Sequence, residues 1–169
     1  MDDFGTPGRP NFYGLQPSKS NFIFPGKRPL SSMSPTLIFR RSKKSDKLGD
    51  LMMVLGASGG PKIITAVFQV FFNYAVLGMP LFESVSHPRF HNQLLYHNQD
   101  VTAYDQSTSV IGKVPINVSA RSKEALIRRG QKLLPIDYLG TTQAAVIDLE
   151  TKRLAASSDI RKGGKPAGY

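Results

Sequence analysis

One short stretch of this sequence combines residues that could stabilise negative charge. Gly59 and Gly60, followed by Pro61, stand between an apolar run at 51–55 and a segment, 63–75, whose apolar residues recur with helical spacing. Pro61 suits a first helical position, so the glycine N–H groups would lie at the positive end of a helix without an intrahelical acceptor. This arrangement can bind a phosphate, a carboxylate or an oxyanion, although the same pair can also form a plain tight turn.

A second stretch offers hydroxyl groups in a rigid turn. Ser31 and Ser32 lie between Pro29 and Pro35, in a segment too rich in small residues and proline for a helix or a strand. The segment is therefore predicted to be a fixed turn that offers hydroxyl groups. The alternative is that both serines only shape the turn.

The composition predicts one folded domain over 1–169. Hydrophobic residues make up 40% and charged residues 20% of the chain, which is the range of globular proteins. The absence of cysteine excludes disulfides and thiolate catalysis, and His87, His91 and His97 lack the spacing of metal ligands. We therefore expect no metal and no cofactor. No segment is apolar enough to cross a bilayer, and the acidic start does not resemble a signal peptide.

The net charge of +10 raises the alternative of a nucleic-acid or anionic-surface binder. However, many of the cations are concentrated in short runs that are not interleaved with aromatic residues, as a base-stacking surface would require. We therefore expect no nucleic-acid partner. The runs are Arg40, Arg41, Lys43, Lys44 and Lys47, and then Arg161, Lys162 and Lys165.

The order of predicted elements indicates an α+β fold with an antiparallel sheet. Residues 1–30 predict an ordered loop, and a hairpin, two helices, a poorly regular region, a third helix and three strands follow. Ser119 or Ser122 caps the third helix, and a single short edge strand is expected within 104–118. The predicted strands are 36–39, 51–55, 133–139, 142–149 and 153–157, and the first two helices are 61–77 and 81–86.

Several segments together resemble the small subunit of the gamma-glutamyltransferases, also called glutathione hydrolases. The resemblance runs from the first residue to the last, and its most specific part is the sequence Pro-Leu-Ser-Ser-Met-Ser-Pro at 29–35. The other segments are 1–4, 26–28, 56–65, 88–93 and 158–169.

The resemblance implies an N-terminal-nucleophile hydrolase fold, a four-layer αββα sandwich of which this chain would be an incomplete part. It implies a precursor that cuts itself into a large and a small subunit, with the large subunit as partner. The implied substrates are glutathione and other gamma-glutamyl compounds, and the acceptors are water, amino acids or peptides. Family members are extracellular, attached to the cell surface, periplasmic or vacuolar, but the chain itself carries no address.

Residue by residue, the resemblance assigns roles to five positions. Ser31 and Ser32 match the pair that binds the alpha-carboxylate of the glutamyl group, and Asp3 matches the acid that pairs with its alpha-ammonium. Gly59 and Gly60 match the glycines whose N–H groups hold the tetrahedral oxyanion. The alternative for Asp3 is a solvated terminal acid.

The resemblance also implies that the catalytic threonine lies upstream of residues 1–4. We therefore expect the nucleophile to be absent from this chain, and the chain to be an incomplete small subunit that is inactive alone. Thr141 and Thr142 do not replace it, because an N-terminal threonine there would lose the serine and glycine sites. The competing hypothesis is a catalytically dead relative that binds gamma-glutamyl groups as a decoy module.

Overall fold

The computed structural model describes residues 2–41 and 47–168. Within these residues, two sheets and three α-helices follow an N-terminal loop. In chain order the elements are β1 (Thr36–Arg41), β2 (Leu48–Ser58), α1 (Lys62–Phe71), α2 (Leu81–Ser86), β3 (Phe90–His91), β4 (Thr102–Thr108), β5 (Pro115–Asn117), α3 (Ala120–Ile127), β6 (Leu133–Ile136), β7 (Thr141–Ile147) and β8 (Leu154–Ser158).

The N-terminal loop is ordered around two short 3-10 turns, Asp2–Phe4 and Lys19–Asn21, as the apolar anchors of residues 1–30 predicted. None of the helices in the described part of the chain is long and apolar enough to cross a lipid bilayer. Four residues used in the sequence analysis lie outside the described residues: Lys43 and Lys44 of the first basic run, and Met1 and Tyr169 of the resembling segments.

The first sheet is antiparallel, with the strand order β1-β2-β7-β8. It contains the predicted hairpin of β1 and β2, and β7 and β8 form a second antiparallel pair. Leu55 of β2 pairs with Thr36 on one side and with Ala144 on the other. Side chains alternate between the two faces of a strand. Met53 and Leu55 are therefore buried against the helices, whereas Val54 between them is 40% exposed on the opposite face.

Helices α1 and α2 cover one face of this sheet and supply half of its core. The predicted helix over 61–77 is confirmed, except that Phe72–Val76 forms a π-helical turn in which the Leu77 N–H donates to the Phe72 carbonyl. Gly78, with φ +69°, ends it. The buried core consists of Met53, Leu55, Ile63, Val67, Val70, Val85, Ala144 and Val146.

The second sheet differs from the prediction. Strand β4 pairs antiparallel with β3 and β5 and parallel with β6. The expectation of a single edge strand within 104–118 is wrong, because the Ser109 hydroxyl accepts from the Val114 N–H at 2.8 Å and closes a turn between two strands. Strand β6 ends at Ile136 rather than at 139, since the chain leaves the sheet toward Gly140, whose φ is +79°.

We expect Met53→Ala to lower the free energy of unfolding by about 2–5 kcal/mol, because the side chain is 2% exposed and its loss leaves a cavity in the core. Urea unfolding followed by circular dichroism measures the change. The matched control is Val54→Ala, which alters the outer face of the same strand and should cost less than about 1 kcal/mol. Equal losses would contradict the assignment of the two faces.

Candidate active site

The glycine turn joins β2 to α1, as the sequence predicted. Strand β2 ends at Ser58 and α1 begins at Lys62. Between them Gly59 and Gly60 have φ values of +140° and +61°, which residues with a side chain rarely adopt. Within residues 2–41 and 47–168, neither glycine N–H donates a hydrogen bond. The turn therefore presents two donors at the start of a helix, where an anion is favoured.

Both glycines are packed too closely to carry a side chain. A Cβ atom on Gly59 would lie 2.8 Å from the Cα atom of Gly140. A Cβ atom on Gly60 would lie 2.3 Å from the ring of Tyr13. The backbone before β7 and an aromatic ring of the N-terminal loop thus hold the turn from two sides.

The segment that carries Ser31 and Ser32 enters the first sheet at the same end as the glycine turn. Because Thr36 pairs with Leu55, the segment before β1 and the segment after β2 depart together. Ser31 Oγ accepts a hydrogen bond from the Met33 N–H at 3.1 Å, so its own O–H remains available to a ligand. No hydrogen bond in the described part of the chain joins either serine to the glycines or to Asp3.

Asp3 belongs to the same N-terminal loop as Tyr13, whose ring packs on the glycine turn. It is exposed in the Asp2–Phe4 turn and lines an open cleft of about 360 Å³ beside Asn11. Burial raises the pKa of Tyr13, and electrostatic interactions with Tyr138 and then with Asp3 raise it further. The roles assigned to Asp3, the serines and the glycines remain predictions.

Sequence patterns alone did not identify Tyr13, Lys62 or Tyr138, all of which adjoin the glycine turn. Lys62 is 6% exposed, and its Nζ atom donates to the Tyr138 carbonyl at 2.8 Å. Burial lowers the pKa of its ammonium, an effect that the charge of Asp137 partly offsets. One signal was present in the sequence: a cation in the first turn of a helix opposes the helix dipole and therefore needs a specific environment.

Hydrogen bonds of His91 connect α1 to the Tyr13 loop. Its Nδ1 atom lies 2.9 Å from the Thr65 hydroxyl, and its Nε2 atom lies 2.9 Å from the Gln93 side-chain oxygen. The Gln93 amide in turn donates to the Tyr13 carbonyl at 2.9 Å. Among the residues that the structure describes, no three His, Cys, Asp or Glu side chains are grouped so that they could hold a metal ion.

A buried ionic network lies behind the turn. Asp159 accepts from Arg89 at 2.7 Å and from Arg161 at 2.9 Å, and Arg161 also pairs with Asp105. These four residues are at most 8% exposed, and their charges balance. Arg161 was counted in the second basic run of the sequence, but burial in this network removes it from the surface.

The network fixes the backbone that supports the glycine turn. Arg89 Nη1 donates to the Gly140 carbonyl at 3.0 Å, and Asp159 accepts from the Thr142 N–H at 2.9 Å. Gly140 lies directly against Gly59. Two successive contacts therefore connect the buried ions with the candidate oxyanion site.

We expect Gly59→Ala to destabilise the protein by about 1–3 kcal/mol, because an alanine would be strained at φ +140° and would collide with Gly140. Urea unfolding measures the loss, and an amide proton spectrum reports the displaced turn. Gly56→Ala is the control, because nothing lies within 4 Å of a Cβ atom at Gly56. Equal stabilities of the two variants would contradict the close packing.

Asp159→Asn is expected to cost about 3–5 kcal/mol at neutral pH, since it leaves buried arginine charge unbalanced. Burial alone would raise the Asp159 pKa, but Arg89, Arg161 and two backbone N–H groups lower it overall. The stability from this group is therefore present above the unfolded pKa of about 3.9 and is lost as the pH falls through the folded pKa.

Urea unfolding at neutral pH and below about pH 4 should thus show a shallower acid dependence in Asp159→Asn than in the unaltered chain. The exposed Asp50→Asn variant, which loses only a surface contact with Lys152, should keep the original dependence. An unchanged acid slope in Asp159→Asn would show that this carboxylate is not the titrating group.

Comparison with known proteins assigns this arrangement to one family. The family profile described as Gamma-glutamyltranspeptidase matches residues 1–169. Glutathione hydrolase 2 of Arabidopsis thaliana is 37% identical over 178 residues, covering 100% of this chain and 28% of that protein. Scoloptoxin SSD14 of Scolopendra dehaani is 34% identical over 168 residues, covering 99% of this chain and 26% of that protein.

A solved structure gives the same result. Gamma-glutamyltranspeptidase from Pseudomonas nitroreducens, complexed with L-DON, matches with a TM-score of 0.78 and 34% identity, covering 100% of this chain and 79% of that chain. This match confirms the predicted N-terminal-nucleophile hydrolase fold. The chain spans only 26% and 28% of the length of the two curated relatives. Because the family profile matches all of its residues, the chain belongs to the gamma-glutamyltranspeptidase family.

Proposed function

We propose that this chain forms the glutamyl-binding and oxyanion-stabilising part of a gamma-glutamyltransferase. Such an enzyme cleaves a gamma-glutamyl amide, for example that of glutathione, and transfers the glutamyl group to water or to the amine of an amino acid or peptide. The observation that carries the proposal is the Gly59–Gly60 turn, whose two N–H groups have no acceptor in the described chain. The printed names of the relatives, glutathione hydrolase and gamma-glutamyltranspeptidase, agree with it.

The proposed glutamyl site matches the charges of its ligand. A gamma-glutamyl group carries an alpha-carboxylate and an alpha-ammonium at one end and the reacting carbonyl at the other. The hydroxyls of Ser31 and Ser32 would donate to the carboxylate, and Asp3 would accept from the ammonium. The serine segment and the glycine turn adjoin the same end of the first sheet, which supports this arrangement.

The proposed reaction is acyl transfer. A hydroxyl oxygen attacks the carbonyl carbon of the gamma-glutamyl amide, and the carbonyl oxygen becomes an oxyanion facing Gly59 and Gly60. The C–N bond then breaks, the amine leaves with the proton of the hydroxyl, and the glutamyl group remains as an ester. Each N–H donor in such a site is worth roughly 2.7–4 kcal/mol of transition-state stabilisation. Water or an acceptor amine then attacks the ester, releases the glutamyl group and restores the hydroxyl.

The nucleophile in this proposal is a threonine outside the 169 residues, as the resemblance implies. Thr141 and Thr142 are poor substitutes because they are 2% and 0% exposed within β7. An N-terminal amine activates such a threonine. Cleavage beside either residue would break β7, whose Thr141 and Thr142 pair with Ser58 and Ala57 next to the glycine turn.

In the complete enzyme that contains this chain, Ser31→Ala should lower kcat/KM for gamma-glutamyl-p-nitroanilide roughly tenfold to a hundredfold, because a hydrogen bond to a charged group is lost. Steady-state release of p-nitroaniline measures the change. Ser20→Ala, which alters an exposed serine of the same N-terminal loop, should leave kcat/KM unchanged.

The 169-residue chain alone should release no p-nitroaniline, and turnover by it would overturn the placement of the nucleophile outside the chain. Calorimetry with glutamate tests the binding site directly, and Ser31→Ala should weaken that binding. If the complete protein binds glutamate but shows no turnover, the proposed enzyme function is wrong and the protein is a non-catalytic gamma-glutamyl binder.

A further inference from the structure

The ammonium of Lys62 lies where its charge is electrostatically unfavourable. Its ammonium is at the first residue of α1, where it opposes the helix dipole, and the side chain is 6% exposed. In residues 2–41 and 47–168, no carboxylate forms a salt bridge with Lys62. Within the same residues, its Nζ atom donates one hydrogen bond, to the Tyr138 carbonyl. A buried charge of this kind requires another source of stabilisation.

Three tyrosine rings supply that stabilisation. The Nζ atom lies 5.7 Å from the ring centre of Tyr13, 5.8 Å from that of Tyr96 and 5.7 Å from that of Tyr138. These distances are within the range of cation–π attraction, which strengthens when the cation is removed from water. The ammonium therefore joins three segments that are far apart in the sequence: the N-terminal loop, the loop before β4 and the loop before β7.

Two of these rings are the ones that border the glycine turn. The Tyr13 ring lies over Gly60, and the Tyr138 ring carbon Cε1 would be 3.6 Å from a Cβ atom on Gly59. Tyr138 is also oriented by its hydroxyl, which is 2.9 Å from the Thr141 hydroxyl. The cation and the turn thus contact the same pair of rings from different sides.

We propose that Lys62 is a positioning residue of the candidate oxyanion site, which holds Tyr13 and Tyr138 against Gly60 and Gly59 through the attraction of its ammonium for the two rings. The effect of Lys62 on catalysis rests on the proposed function, whereas its effect on the packing of the two rings does not. The rings leave the glycines one backbone arrangement, and the two N–H groups keep a fixed direction. A misplaced donor loses much of its effect on a transition state.

The structural test is a comparison of Lys62→Met with Lys62→Arg in the full chain by nuclear magnetic resonance. Methionine keeps the volume and removes the charge, so the ring signals of Tyr13 and Tyr138 and the amide signals of Gly59 and Gly60 should all shift. Arginine retains a cation and should restore most of the original signals. Unchanged ring and amide signals in Lys62→Met would overturn the proposal.

A measurement on the unaltered chain covers the case in which Lys62→Met does not fold. Protons close to a ring face resonate upfield, so the ε-methylene protons of Lys62 should appear upfield of those of an exposed lysine such as Lys19. Equal positions for the two lysines would overturn the proposal without any variant.

The functional test uses the complete enzyme. Lys62→Met should lower kcat for gamma-glutamyl-p-nitroanilide roughly tenfold to a hundredfold with little change in KM, and Lys62→Arg should recover most of it. If the complete protein has no gamma-glutamyl turnover, the proposed function fails while the ring and amide signals still test Lys62. An active enzyme whose Lys62→Met variant keeps its kcat would overturn the role of Lys62 alone.

Discussion

The balanced ionic network of Arg89, Asp105, Asp159 and Arg161 is the interaction on which the two sheets depend for their relative position. Asp105 belongs to β4 of the second sheet, whereas Asp159 directly follows β8 of the first. Burying four charges is costly unless each is paired with good geometry, and removing one leaves its partners uncompensated. The network therefore links the second sheet to the first through paired charges, and separating the two sheets would leave those charges uncompensated.

The candidate site takes its geometry from this interior through the backbone. Arg89 holds the Gly140 carbonyl, and Gly140 lies in contact with Gly59. Two chain segments can approach this closely only where side chains are absent, which gives the glycines a steric role besides their conformational one. The position of the turn thus depends on the packing behind it.

The parts of the fold that the sequence predicts are those that depend on neighbouring residues. Helical spacing and Pro61 located the start of α1, and Ser119 caps α3 by accepting from the Ser122 N–H, one of two candidates. Gly78 and Gly130 have the positive φ values expected after helices.

The parts that the sequence did not predict depend on residues brought together from afar. Counting charges along the chain predicts that Arg161 is a surface cation, whereas it is buried. Nothing near Lys62 in the sequence indicates that the Tyr13 and Tyr96 rings lie close to its ammonium. The roles of Ser31 and Asp3 came from family resemblance, because no local pattern identifies them. The pairing of β1 with β2 then supplies a physical reason why the serine and glycine segments lie at one end of the sheet.

That pairing has a consequence for how the family can vary in length. Ser32 and Gly59 lie equally far along the chain from the paired residues Thr36 and Leu55, so one inserted residue on either side would slide one segment past the other. Arg41 pairs with Leu48 at the opposite end of the two strands. A change of chain length beyond that pair would alter neither segment's distance from Thr36 and Leu55, so it would leave the serine and glycine segments aligned.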